Sequence, residues 1–171
     1  MRPHETGHFK AHDGSVLFYR AWLPTGPVRQ SVILFHRGHE HSARFQELVD
    51  GLQLDHVAFF AWDARGHGHS PGERGHARGL AQLERDMQDF MEHLTSEHRL
   101  DPEQSVVIAH SVAAVVAGLW AIDYAPRLRG LVLATPALQV KLYVPFARAG
   151  LTALNAMGLM PNVQSYVRGF A

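Results

Sequence analysis

The amino-acid sequence predicts an α/β domain built on a mainly parallel sheet with an N-terminal hairpin. Three observations predict it. Two apolar, β-branched and aromatic segments meet at Asp13-Gly14, a strong hairpin turn signal. Strand-like runs then alternate with helical periods, and those runs are apolar enough to be buried on both faces.

Taken in order, strands are expected near residues 7–12, 15–23 and 31–36, the last two separated by the Pro24–Pro27 turn. Ser42, a good N-cap, opens a short helix from Ala43 to Leu52, and VAFFAWD at 57–63 is a buried strand. Leu80, Leu83, Met87, Phe90, Met91 and Leu94 recur at helical spacing, an amphipathic helix whose acids form an outer, solvated face. SVVIAH at 105–110 is another buried strand. Ser111 to Ala125 is apolar nearly all round, as a helix enclosed in the body must be, and RGLVLATPA at 129–137 makes a sixth strand ending at Pro136. Residues 1–138 are thus expected to form the core, and 139–171, interrupted by Gly150, Gly158 and Pro161, to begin a cap of broken helices. In such a sheet function sits at the carboxyl ends of the strands.

Composition narrows the function. The chain has 171 residues, 46% of them hydrophobic, enough for one domain with a sizeable core. Sixteen Lys+Arg balance sixteen Asp+Glu, so no positive field is present to hold a nucleic acid or an acidic membrane. The absence of cysteine removes disulfides, thiolate catalysis and Cys-based metal centres, and fits a reducing, cytoplasmic location. The opening MRPHETGHFK lacks the apolar core of a signal peptide, and the longest apolar run, 112–122, is too short for stable membrane insertion. All thirteen histidines lie between His4 and His110.

The most informative stretch is VVIAHSVAAVVAG, in which a buried strand runs into Ser111 and a helix starts at once. A sharp strand-to-helix turn lifts a nucleophilic hydroxyl above the sheet and points it at free helix N–H groups that favour an oxyanion. Small residues must flank it; here they are Ala109 and Ala113. The alternative is that Ser111 is an ordinary N-cap of a buried helix.

With FHRGHEHS after the third strand and DARGHGHSPG after the fourth, the chain resembles the α/β-hydrolase superfamily, specifically its serine-aminopeptidase and monoacylglycerol-lipase-like group. His36, Gly38, Glu40 and His41, then Asp63, Arg65, Gly66, His67, Gly68 and Ser70, then His110 and Ser111, match or nearly match that group's patterns. FHRGHEHS, FFAWDARGHG and PALQVKLYVPFA look more narrowly like the hydrolase part of bacterial hydrolase–methyltransferase fusions, although no glycine-rich methyltransferase motif is present to bind S-adenosylmethionine. The resemblance implies Ser111 as nucleophile, the backbone N–H groups of Gly38 and Val112 as oxyanion hole, an acyl-ester or lipid-like substrate, and neither cofactor nor metal. Two departures stand out: Ala109 and Ala113 replace the elbow glycines, and Arg37 replaces the first glycine of the oxyanion loop.

The chemistry then lacks a base. In this fold the order is Ser, acid, His, yet no histidine follows Ser111, and the one acid after it, Asp123, lies about 18 Å along the same helix. The expectation is therefore an N-terminal part of a hydrolase domain, lacking the last strands and with little turnover alone. Its sixth strand would present an open edge inviting self-association or a completing chain. Three alternatives remain open: a loop histidine (His36, His39, His41, His67 or His69) as substitute base, the same imidazoles as a zinc or nickel site, and a non-catalytic binding module. Asp63, Arg65 and Glu73 are expected in surface ion pairs and turn caps. Tyr143, Phe146, Leu151, Leu154 and Met157 either line an acyl pocket or belong to the core.

Overall fold

The computed structural model describes residues 1–74 and 76–138, and Met1–Ala137 form one unit. The expected cap over 139–171, with its candidate acyl pocket, lies outside the described residues. Six strands, β1 (Glu5–Lys10), β2 (Val16–Trp22), β3 (Gln30–Phe35), β4 (Val57–Trp62), β5 (Ser105–His110) and β6 (Gly130–Ala134), form one sheet in the order β1-β2-β4-β3-β5-β6. The hairpin strands β1 and β2 are antiparallel to each other, and β2 is antiparallel to β4. β4, β3, β5 and β6 run parallel, so the loops leaving them gather at one end of the sheet.

Alternation along β4 explains the two-sided burial. Ala58, Phe60 and Trp62 face a core built with α2 (Leu80–Glu97) and α3 (Val112–Tyr124), while Val57, Phe59 and Ala61 face a smaller cluster with Val49 of α1 (Gln46–Leu52). In the larger core Trp62 meets Phe9, Phe35 and Phe90 at ring-centroid distances of 6.2, 4.9 and 6.0 Å. Gly7 belongs to the same fit, because a Cβ there would collide with the Tyr19 ring across the hairpin.

Several expectations are corrected. Ser42 is not an N-cap: a 3-10 turn, Ser42–Phe45, precedes α1, and the buried Ser42 spends its hydroxyl on Asp63 Oδ1 at 2.5 Å. Of the five acids of α2 only Glu92 and Glu97 are exposed as expected; Glu84, Asp86 and Asp89 are buried. Asp86 is fully buried and grips Arg65 through both carboxylate oxygens, at 2.7 and 3.0 Å. Asp89 pairs with His12 and Arg85, and Glu84 lies against Asp123, its carboxyl raised above the usual range by burial first and by that neighbour second. Periodicity sorts residues by polarity alone, and these acids sit on the inward side because basic or acidic partners elsewhere in the chain meet them there. α3 is not enclosed all round either: Ala114, Val116, Ala117 and Trp120 are buried, but Ile122 is 77% exposed and Val112 and Tyr124 are open, as are Val132 and Leu133 of β6.

Asp63 is a fully buried carboxylate, not a surface charge. Oδ1 accepts from the backbone N–H and hydroxyl of Ser42, Oδ2 from the backbone N–H of His69 at 2.8 Å, and the Arg20 guanidinium lies 3.9 Å away. Gly68 is required beside it, because its φ is +51° and a Cβ would overlap the Asp63 carboxylate. Asp63→Asn should therefore lower unfolding stability by about 3 kcal/mol in urea denaturation, since it leaves Arg20 as an uncompensated buried charge and turns one acceptor into a donor.

Candidate functional site

Four parallel strands deliver three loops to one end of the sheet, and each loop is held by identifiable bonds. The loop after β3, His36 to His41, is fastened at both ends to consecutive residues after β4. At its start His36 Nε2 accepts the backbone N–H of Ala64 at 3.0 Å; at its end Ser42 binds Asp63. Because Nε2 accepts, the His36 proton sits on Nδ1, which donates to the Arg37 carbonyl at 2.7 Å. Burial pushes the imidazole down to about 4, so it is neutral at physiological pH.

The loop after β4 is held in turn. Ser70 Oγ donates to the Asp63 carbonyl at 2.5 Å and accepts the Phe18 amide at 2.9 Å. Gly66, at φ +71°, donates its N–H to Pro71 and lies too close to the Glu73 carbonyl for any side chain. Arg65, expected at the surface, has only 10% of its side chain exposed and spans Asp86, Asp13 and Ser15. Its cation, after the amide of Ser15, helps hold the Asp13 carboxyl down at about 2.

Ser111 stands between β5 and α3 at φ +61°, ψ −117°, a region that only glycine enters freely. Its side chain makes no cap hydrogen bond, so the N-cap reading does not explain the residue. Backbone bonds hold the turn instead: the Ser111 N–H donates to Ala134 O at 2.9 Å, and Ser111 O accepts from Ala114 N and Ala137 N. A thirteen-residue helix begins immediately after it, with its positive end at this bend.

The structure brings Gly38 and Val112 together as walls of one cavity of about 240 Å³, shared with Trp62, Leu83, Met87 and Val116. Neither amide is engaged in a hydrogen bond among the described residues. Ser111 precedes Val112 without itself lining that space. Asp123 is placed against Glu84, far down α3, as its position in the sequence implied. Of the loop histidines, His36 has both nitrogens committed, His67 Nδ1 bonds the Arg65 carbonyl, and His69 packs on Phe18 at 4.8 Å. The one cluster of metal-ligand type among the described residues is His12, Asp86 and Asp89, and its carboxylates are already held by Arg65, Arg85 and His12. The elements sequence reasoning missed are Ser42 as a buried tether, Trp62 as a cavity wall and Arg65 as a buried strut; a DxR pair after an apolar strand was the only signal for the last.

A family model described as serine aminopeptidase, S33, matches residues 26–166. The Escherichia coli (strain K12) uncharacterized protein YnbC is 48% identical over 162 residues, covering 94% of this chain and 28% of YnbC. Human monoglyceride lipase is 32% identical over 130 residues, 75% of this chain and 42% of the lipase. The crystal structure of a Paleococcus ferrophilus monoacylglycerol lipase superposes with a TM-score of 0.62 at 27% identity, over 81% of this chain and 50% of that one. The chain thus spans half or less of the length of each of these relatives.

Two outcomes test this geometry. Ser111→Gly should raise stability by about 1 kcal/mol relative to Ser111→Ala, because only glycine relieves the backbone strain at that φ; equal stabilities by thermal denaturation would contradict it. The second follows from His36, whose folded value lies below its ordinary 6.5. As pH falls from about 6.5 towards 4 the unfolded chain takes up a proton that the folded chain refuses. Stability should decline across that window by up to roughly 3 kcal/mol, and His36→Gln should flatten that part of the pH–stability curve.

Proposed function

The chain belongs to the serine aminopeptidase S33 family of α/β-hydrolases, and on that premise we propose that it is the nucleophile-bearing portion of an ester hydrolase. The observation that carries this reading is the strained, uncapped Ser111 at the head of α3, one residue from a free amide that shares a cavity with the amide of Gly38. In the proposed reaction Ser111 Oγ attacks the carbonyl carbon of a monoacylglycerol-like or related lipid ester and loses its proton to a base. The Gly38 and Val112 N–H groups hold the resulting oxyanion, a contribution on the order of 3 kcal/mol per donor. Collapse expels the alcohol, which takes the proton, and water then cleaves the acyl-serine to release the acid.

No base for this step follows Ser111 in the chain. His36 cannot serve, since its Nε2 lone pair is occupied and burial disfavours its protonated form. On the proposed reading the acid and the histidine that complete the reaction come from outside these 171 residues, and the exposed Val132 and Leu133 of β6 offer an apolar edge on which further structure can build. Among the described residues no helix is long and apolar enough to cross a membrane.

A second reading, a binding module without catalysis, is favoured by the same missing base. The two separate on Ser111. A fluorophosphonate probe mapped by mass spectrometry should mark Ser111 ahead of the chain's other serines, while steady hydrolysis of 4-nitrophenyl butyrate by residues 1–171 should not exceed that of Ser111→Ala. A Ser111 no more reactive than Ser96 removes the nucleophile assignment; steady turnover abolished by Ser111→Ala removes the claim that the base lies elsewhere.

A further inference from the structure

Two of the chain's histidines meet at one atom. His98, the residue that follows α2, places its Nε2 2.9 Å from the Tyr19 hydroxyl of β2, and His93 of α2 places its Nε2 3.3 Å from the same oxygen. A phenol carries one proton, so it donates to one imidazole and accepts from the other. The longer separation exceeds the roughly 2.7–3.2 Å of an ordinary hydrogen bond from nitrogen to oxygen. Packing holds the nitrogens there: the Tyr19 ring meets His93 and His98 edge-on at 5.3 and 5.9 Å, and His98 tilts against Phe60 at 4.8 Å. Tyr19 itself is 6% exposed and lies over Gly7, where a Cβ would collide with its ring.

These spacings are the ones a metal ion imposes. Donors bonded to a tetrahedral zinc at about 2.0–2.1 Å stand about 3.3 Å from one another, and both imidazole nitrogens already lie at or within that distance of the phenol oxygen. Burial, the largest influence on each imidazole, holds both below their ordinary value, in the neutral form that ligates a metal. The charge around them is negative: Glu97 acts on all three groups, and Glu5 on Tyr19 and His98. Both carboxylates are exposed and both imidazoles half-buried, so an ion can reach them from solvent. The His12, Asp86 and Asp89 cluster differs, because arginines already hold its carboxylates.

We propose that Tyr19, His93 and His98 form a binding site for one divalent metal ion, zinc or copper(II), that ties the hairpin strand β2 to the end of α2. On binding, the phenol proton leaves to solvent. The phenolate oxygen and the two Nε2 atoms each give the ion a lone pair, and water takes the fourth position. The unfolded chain does not hold these three donors together, so the ion stabilises the fold by mass action. The site does not depend on the acyl-transfer reading.

Zinc chloride titrated calorimetrically into the 171-residue chain tests this. About one equivalent should bind in a step that weakens about tenfold or more in His93→Gln, His98→Gln and Tyr19→Phe and is unchanged in His12→Gln. Zinc at about 100 times its Kd should raise the Tm of the unaltered chain by roughly 5–10 °C, and should not do so in the three ligand variants. Copper(II) should give the visible absorption of a metal-bound phenolate, absent from Tyr19→Phe. A chain that takes up no zinc leaves the three rings joined by hydrogen bonds only and overturns the proposal. Undiminished affinity in His93→Gln or His98→Gln places the ion on other histidines and also overturns it, as does a copper complex without the phenolate absorption. If Tyr19→Phe does not fold, loss of that absorption in His98→Gln supports the site, and its persistence there overturns it. A silent Ser111 in the fluorophosphonate experiment leaves every one of these outcomes unchanged.

Discussion

The site depends on one buried carboxylate. Asp63 takes three hydrogen bonds, two from Ser42 and one from the His69 amide, with Arg20 close by. Removing a charge from water costs far more than a surface ion pair returns, so it is tolerated only where such donors converge. The donors here belong to the loops after β3 and β4, and satisfying Asp63 therefore sets the positions of both. The adjacent Ala64 amide then fixes His36. Between these two anchors, Gly38 is carried on a short span tied at both ends.

Residues 62, 63 and 64 thus do three different jobs in consecutive positions. Trp62 points into the core and walls the cavity, Asp63 gathers the loops, and the Ala64 amide fixes the imidazole tautomer. This follows from where β4 ends. A strand alternates its side chains between faces, and as the ladder stops its last residues turn from packing to hydrogen bonding. Arg65 continues the sequence by tying the same loop to α2 through Asp86, which is why a helix far along the chain carries buried acids.

At the other side of the site the constraint is conformational. Ser111 occupies a backbone region costly for a residue with a Cβ, and the bonds from Ala134 and Ala137 hold it there. The small residues Ala109 and Ala113 were visible as the local condition for such a bend. The bonds that enforce it come from the end of β6, more than twenty residues away, and no local pattern announces them.

The sequence by itself determined the six strands, the three helices and the strand-to-helix bend at Ser111, because apolar period, turn chemistry and propensity are local properties. Its motifs also identified the family, since DARGHGHSPG needs glycines where the backbone leaves no room for side chains. Only the tertiary structure decided that three acids of α2, Glu84, Asp86 and Asp89, face inward, that Ser42 is a tether and not a cap, and that Trp62 lacks a partner. Those outcomes depend on which distant groups meet each side chain, and whether a polar atom is satisfied is a property of the assembled neighbourhood, not of the residue.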